Sequence, residues 1–187
     1  SKCIDYIRSD HYRMSGRKNI GLLRIAFSSL QDIGFRYMFW WRLSQVNGMC
    51  GLLSRMILFH LRLKHKINIE RQTQIGYGFR IGHNGPITIN ASATIGDNVT
   101  MMQYSTIGSA NNNAAHIGDN VYIGPNVCIV ENVTIGNGVT IGAGTVVVKD
   151  VPEGVTVAGN PSKIISHKEP GRLVWRKWNS HWNNIKS

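Results

Sequence analysis

Among the seven histidines of this 187-residue sequence, His83 sits where an imidazole could act on a substrate. It falls at a break in an otherwise regular register, between Gly82 and Gly85, where its bland alternative is a solvated corner residue. A hydroxyl is a poor nucleophile at neutral pH, and imidazole is the side chain best matched to taking its proton during attack. General-base activation of a hydroxyl is chemistry that a residue of this type could do. The other six histidines show no HExxH-type spacing, and Cys3, Cys50 and Cys128 are widely spaced in no ligand or disulfide pattern. No metal is expected, and the thiols read as inert in a reduced setting. No GxSxG nucleophile motif is present, so direct transfer is preferred to a covalent intermediate. Asn111, Asn112 and Asn113 carry amides that both donate and accept, which suits sugar hydroxyls; the plainer alternative for this segment is a surface insertion, and His116 closes it. Lys149 and Lys163 are two of only four Lys/Arg between Ile69 and Ile164, near Gly159-Asn160-Pro161. They read equally as partners for phosphate groups or as solvated turn lysines.

The elements that must hold these residues are announced by an internal repeat. Aliphatic residues recur in steps of six at Ile69, Ile75 and Ile81, then Ile89, Ile95, Met101 and Ile107, then Ile117 through Val147. Two longer steps interrupt the series, Ile81 to Ile89 around His83 and Ile107 to Ile117 around the asparagine run. Eight of these positions open an Ile-Gly pair. Period six fits neither a helix nor one long strand; it fits short strands joined by turns, with Gly, Asn and Asp at the corners. Stacked coils of this kind bury one continuous aliphatic column. The fold class is mainly β, a parallel β-helix over 67–165.

The flanks differ. Residues 1–66 read as a helical region, with one segment from about Leu22 to Val46, a break at Asn47-Gly48, and a second helix whose stripe is Met49, Leu52, Leu53, Met56 and Ile57. Residues 166–187 read as a Trp-rich helical tail, with Trp175, Trp178, Trp182 and Ile185 on one face. Each stripe reads first as packing or oligomer surface; Arg36, Arg42, Arg172, Arg176 and Lys177 leave a membrane-interfacial role open. The overall charge of +11 is divided unevenly. Residues 1–68 hold twelve Lys/Arg against three Asp/Glu, residues 69–164 hold four against six, and 165–187 hold five against one. The repeat region is thus slightly acidic, which argues against a nucleic-acid platform. The first residues lack the apolar run of a signal peptide, and no N-terminal charge-free run is long enough to span a bilayer, so a cytoplasmic protein is expected, with a peripheral place at the inner membrane face left open.

The stretches IGYGFRIGHNGPITIN, ATIGDNVTMMQYSTIGS, HIGDNVYIGPNVCIVENVTIG and VTIGAGTVVVKDVPEGVTVAGNPSKII resemble the hexapeptide-repeat acyltransferases, closest to the serine acetyltransferase-like branch. The resemblance covers about half the chain. It implies a left-handed β-helix, a homotrimer with sites between subunits, and acetyl transfer from acetyl-CoA to a hydroxyl. It puts His83 at the family's catalytic histidine, and Gly124, Gly142 and Ala143 along the CoA groove, with Lys149 and Lys163 near its phosphates. It also implies a Gly108 or Ser109 backbone amide as oxyanion donor.

Departures from the family point to the acceptor. The acidic residue that orients the family's histidine is Asn68 here, with Glu70 two residues on as a substitute. The acid preceding the histidine is Gly82, and the Arg-His pair aligns with Asn113 and Ala114. An amino-acid acceptor needs charges, and these are the ones missing. The expectation is an acetyl-CoA-dependent O-acetyltransferase acting on a sugar hydroxyl of a surface polysaccharide or its precursor. Asn84, Asn111, Asn112, Asn113 and His116 are its candidate acceptor-binding residues, with a glycan and an anionic membrane surface as partners. The alternatives are a serine O-acetyltransferase and, in another class, a non-catalytic β-helical scaffold subunit.

Overall fold

A computed structural model describes residues 2–179. Four helices precede the repeats: α1 (Lys2–Ser15), α2 (Leu22–Ser28), α3 (Ile33–Ser44) and α4 (Met49–His65). The single segment expected over 22–46 is two helices, because the Asp32 side chain accepts from Phe35 N at 2.7 Å and starts α3 afresh. The expected break at Asn47-Gly48 is present, with Gly48 capping α4.

Fifteen strands follow among the described residues, most only two or three residues long, and they stack into three sheets. Sheet A holds β1 (Ile67–Ile69), β4 (Ile87–Ile89), β7 (Ser105–Gly108), β10 (Cys128–Val130) and β13 (Val146–Val147). Sheet B holds β2 (Gln74–Ile75), β5 (Thr94–Ile95), β8 (His116–Ile117) and β11 (Thr134–Ile135). Sheet C holds β3 (Arg80–Gly82), β6 (Thr100–Met102), β9 (Tyr122–Ile123), β12 (Thr140–Ile141) and β14 (Thr156–Ala158), closed by the antiparallel β15 (Lys163–Ser166). All other ladders are parallel, and the chain visits A, B and C in turn as a left-handed β-helix.

The six-residue period follows from this path, since each coil places one aliphatic side chain from each sheet on the axis. Ile87, Ile89, Met101, Ile107, Ile123, Ile129, Ile141 and Val147 are all fully buried. The corners carry the conformations their residues favour: Gly78, Asn98, Asn120, Gly138 and Gly154 all have positive φ between sheets B and C. The glycines of the Ile-Gly pairs in sheet B have a different reason. A Cβ on Gly96 would lie 2.3 Å from Asp119 Oδ1 and 2.9 Å from the Gly118 carbonyl carbon. Space between coils, not φ, excludes a side chain there. The following Asp or Asn uses that closeness: Asp97, Asp119 and Asn137 each accept a backbone N–H of the preceding coil at 2.7 Å.

The helices are locked to the first coil by buried polar contacts. Asp10 of α1 pairs with Arg42 of α3 at 2.9 Å and accepts from Phe79 N at 2.9 Å. Arg42 also donates to the carbonyls of Ile75 and Gly76, and Arg13 donates to the Gly78 carbonyl and the Thr100 hydroxyl. Arg42 is therefore a structural residue and not the interfacial cation its neighbourhood implied.

Two expectations for the flanks change. Residues 167–179 contain no helix. Pro170 and Gly171 turn the tail across the repeats, where Gly171 N donates to Gly138 O at 2.7 Å and Trp178 exchanges two hydrogen bonds with the Asn98 side chain. Trp175 is exposed and Trp178 buried, while Trp182 and Ile185 lie outside the described residues. The Met49–Met56 stripe of α4 faces outward, and the helix packs instead through Gly51, Ser54, Leu58 and Leu61.

Candidate active site

His83 stands at the corner between sheets C and A. In the register, Gly82 lies beside Met102 and Ile87 beside Ser105, so four residues, 83–86, oppose only Gln103 and Tyr104 of the next coil. The two extra residues lift His83-Asn84 off the corner. Gly82 cannot carry a side chain, because a Cβ would lie 2.4 Å from Met102 Sδ. His83 takes a left-handed φ of 57° and is exposed together with Asn84. Tyr104 N donates to Pro86 O at 2.6 Å, and the Tyr104 ring, 57% exposed, lies against the His83–Pro86 turn. Among the described residues no side chain hydrogen-bonds the His83 ring, which leaves both nitrogens open to a substrate.

The corner below His83 continues as a line: Gln103-Tyr104, then Gly124-Pro125-Asn126, then Gly142-Ala143-Gly144. Three of the expected donor-groove residues, Gly124, Gly142 and Ala143, thus share an edge with His83. Part of the glycine requirement is internal, since a Cβ on Gly124 would lie 2.8 Å from Ile141 O. Lys163, in β15, is exposed near the end of the same line beyond Gly159-Asn160-Pro161.

The other predicted residues gather elsewhere. Asn68 is the central residue of β1, the edge strand of sheet A, beside Thr88 in the register, and its buried Oδ1 has no hydrogen-bond partner. It makes no bond to His83. Glu70 leaves sheet A at the opposite corner, faces Arg62 at 3.7 Å, and so cannot stand in for a carboxylate beside His83 in the same chain. That corner, between sheets A and B, also carries Gly108, Ser109, Asn111, Asn112, Asn113 and Lys149. A strand of sheet A separates the two groups by about 10 Å at 3.3 Å per residue. His116 is on sheet B, where Nδ1 lies 2.7 Å from the Thr94 hydroxyl, away from His83.

The loop after β7 is pinned rather than loose. Glu131, on the next coil, accepts from the Ser109 hydroxyl at 2.9 Å and from Ala110 N at 3.0 Å. Ser109 Oγ in turn accepts from Asn111 N and Asn113 N. The Ala110 amide and the Ser109 hydroxyl hold the Glu131 carboxyl below its ordinary value. Sequence reasoning missed Glu131 and Tyr104; the signal for Tyr104 was a ring at a corner where the following coils place Asn126 and Gly144, all three with positive φ.

Residues 114–149 match the family described as bacterial transferase hexapeptide (six repeats). Across its repeats the chain is similar to the hexapeptide-repeat transferases, and its relatives are serine acetyltransferases. Serine acetyltransferase 1, chloroplastic, of Arabidopsis thaliana is 40% identical over 110 residues, which are 57% of this chain and 35% of that protein. This hexapeptide-repeat chain therefore spans about a third of the length of its curated relative. The crystal structure of Neisseria gonorrhoeae serine acetyltransferase in complex with serine superposes with a TM-score of 0.73 at 25% identity, covering 88% of this chain and 69% of that one. A serine acetyltransferase in complex with CoA gives 0.71 at 22% identity, covering 88% and 70%. Among the described residues no cluster of three His, Cys, Asp or Glu is placed to hold a metal ion.

Proposed function

We propose that this protein is an acetyl-CoA-dependent O-acetyltransferase in which His83 takes the proton of the acceptor hydroxyl as it attacks the thioester. The observation that carries the reading is the His83 corner itself: a two-residue insertion presents an unpartnered imidazole at the head of a glycine-lined edge. In one step the hydroxyl oxygen bonds to the acyl carbon, the C–S bond breaks, and the proton held by His83 passes to the leaving thiolate. The CoA complex of a protein of the same fold supports acetyl-CoA as the donor.

Serine is the acceptor the relatives support, since the proteins it resembles are serine acetyltransferases, one of them solved with serine. A sugar hydroxyl is the second reading, favoured by one observation: the positions flanking His83, Gly82 and Asn84, carry no charge, and Glu70 is turned to Arg62. The asparagine loop and His83 lie at opposite ends of a sheet A strand, so an acceptor held by both is best bridged between two copies of the chain, as in a trimer. The deciding experiment follows CoA thiol release with L-serine and with a panel of glycans as acceptors. His83→Ala is expected to lower kcat/KM by about 10²–10⁴-fold, with His60→Ala as the folded control. Normal turnover by the His83 variant removes the mechanism, and absence of acetyl-CoA binding by calorimetry leaves the scaffold role.

A further inference from the structure

α4 is apolar on two opposite sides. Its inner face, Gly51, Ser54, Leu58 and Leu61, is buried. Half a turn away, Met49, Leu52, Leu53, Met56, Phe59 and Leu63 form a second stripe, each between 54% and 81% exposed. A helix that is apolar all round is normally covered on both sides, and a soluble monomer rarely leaves six large apolar side chains together in water. Helical periodicity puts Arg55 and Arg62 along one border of this stripe and Lys64 along the other. Beside Phe59 opens a cavity of about 230 Å³ lined by Arg55, Arg62 and Arg71, with Glu70 as its one carboxylate. α2 adds a separate outward group, Leu23 at 90% and Phe27 at 65% exposure, with the exposed Arg24 between them.

We propose that the outward face of α4 docks this protein on an anionic lipid bilayer, with a lipid phosphate seated among Arg55, Arg62 and Arg71. Charge decides between a bilayer and a second copy of the chain. Arg55, Arg62, Lys64 and Arg71 surround this face against the single carboxylate of Glu70, so two such faces brought together would oppose like charges, whereas an anionic surface is complementary. The geometry fits a helix lying in the interface: its apolar face enters the acyl boundary and its cationic borders meet headgroups. No described helix is long and apolar enough to cross a membrane, so the contact is peripheral. The inference goes beyond acetyl transfer and does not depend on it.

The test is flotation of the full-length protein with vesicles of phosphatidylcholine alone and of phosphatidylcholine with phosphatidylserine. The wild type is expected to float with the anionic vesicles and to remain behind with the neutral ones. Met56→Glu with Phe59→Glu, both outside the core, should lower vesicle affinity at least tenfold, about the loss of one buried side chain. Lys64→Gln with Arg71→Gln leaves the apolar stripe intact and should cost about fivefold per charge. Flotation that is equal on both vesicles, absent on both, or unchanged in Met56→Glu/Phe59→Glu overturns the proposal. So does a protein-only assembly, seen by light scattering without vesicles, that the same variant dissolves, because the stripe then belongs to a second copy.

Discussion

Removing the Asp10 carboxylate tests whether buried polar contacts hold the helices to the β-helix. Asp10 and Arg42 have side chains only 1% and 3% exposed, and the carboxylate takes two bonds from the guanidinium and one from Phe79 N. In Asp10→Ala, Arg42 keeps its bonds to the Ile75 and Gly76 carbonyls but loses its counter-charge, and the Phe79 amide loses its acceptor. Breaking a buried pair from one side costs about 3–5 kcal/mol, and the orphaned amide adds about 1 kcal/mol. The retained carbonyl contacts argue for the lower half of that range. The lower half of the combined cost is about 4–5 kcal/mol. For a chain of this size each kcal/mol moves Tm by about 2–4 °C, so a fall of roughly 8–20 °C is expected by circular dichroism. Faster amide exchange at Gly78 and Phe79, the two residues whose N–H groups α1 receives, should accompany it. Asp5→Ala, which loses only a 3.9 Å contact to Arg8, is the control and should stay within about 0.5 kcal/mol. A melt of Asp10→Ala within 2 °C of the wild type, a shift of about that size being worth no more than 1 kcal/mol, would refute the view that this pair anchors α1.

Gly96→Ala should destabilise by about 1–3 kcal/mol in urea titration, because its Cβ would meet the next coil at 2.3 Å, whereas Gly108→Ala, with nothing nearer than 3.6 Å, should cost little. The Glu131 carboxyl is held below its ordinary 4.5 by the groups it accepts from, so ordering of the 109–113 loop is fully present above 4.5 and lost as pH falls through the lower folded value. Amide exchange at Ala110, followed downwards from neutral pH, should show that transition, and Glu131→Gln should remove it. Met101→Ala, which empties a fully buried position on the axis, should cost about 2–5 kcal/mol in the same urea titration.

The repeat was legible because burial and stacking impose the same residue every sixth position, and nothing else in a chain of this length keeps such a register. Even there the reason for the glycines was only half visible. A sequence shows that Gly recurs after Ile; only the register shows that Gly96 faces Gly118 across the coils at a distance no Cβ can enter. The helices were harder for a related reason. α4 has two apolar stripes, and its outer one, being longer-chained, gives the stronger periodic signal. The inner face is built from Gly51, Ser54, Leu58 and Leu61, small residues that let the helix approach closely and that read as neutral in a sequence.

The site divides the same way. His83 stands out as a candidate because an insertion interrupts a period, and a broken period is visible wherever the period itself is. Its surroundings could not, since sequence distance says nothing about which corner a residue occupies. Glu70 lies closer to His83 in sequence than Gly124 does, yet the fold sends Glu70 to the opposite corner and brings Gly124 onto the same edge. Three sheets and three corners mean that neighbours in space recur about every coil, while neighbours in sequence diverge around it. A carboxylate meant to support His83 should therefore be sought on the line of Tyr104, Asn126 and Gly144, or on a facing copy of the chain. The described residues of that line carry no acid, so if His83 is the base proposed above, mutating acids on a facing surface of a second copy is the direct way to look for its partner.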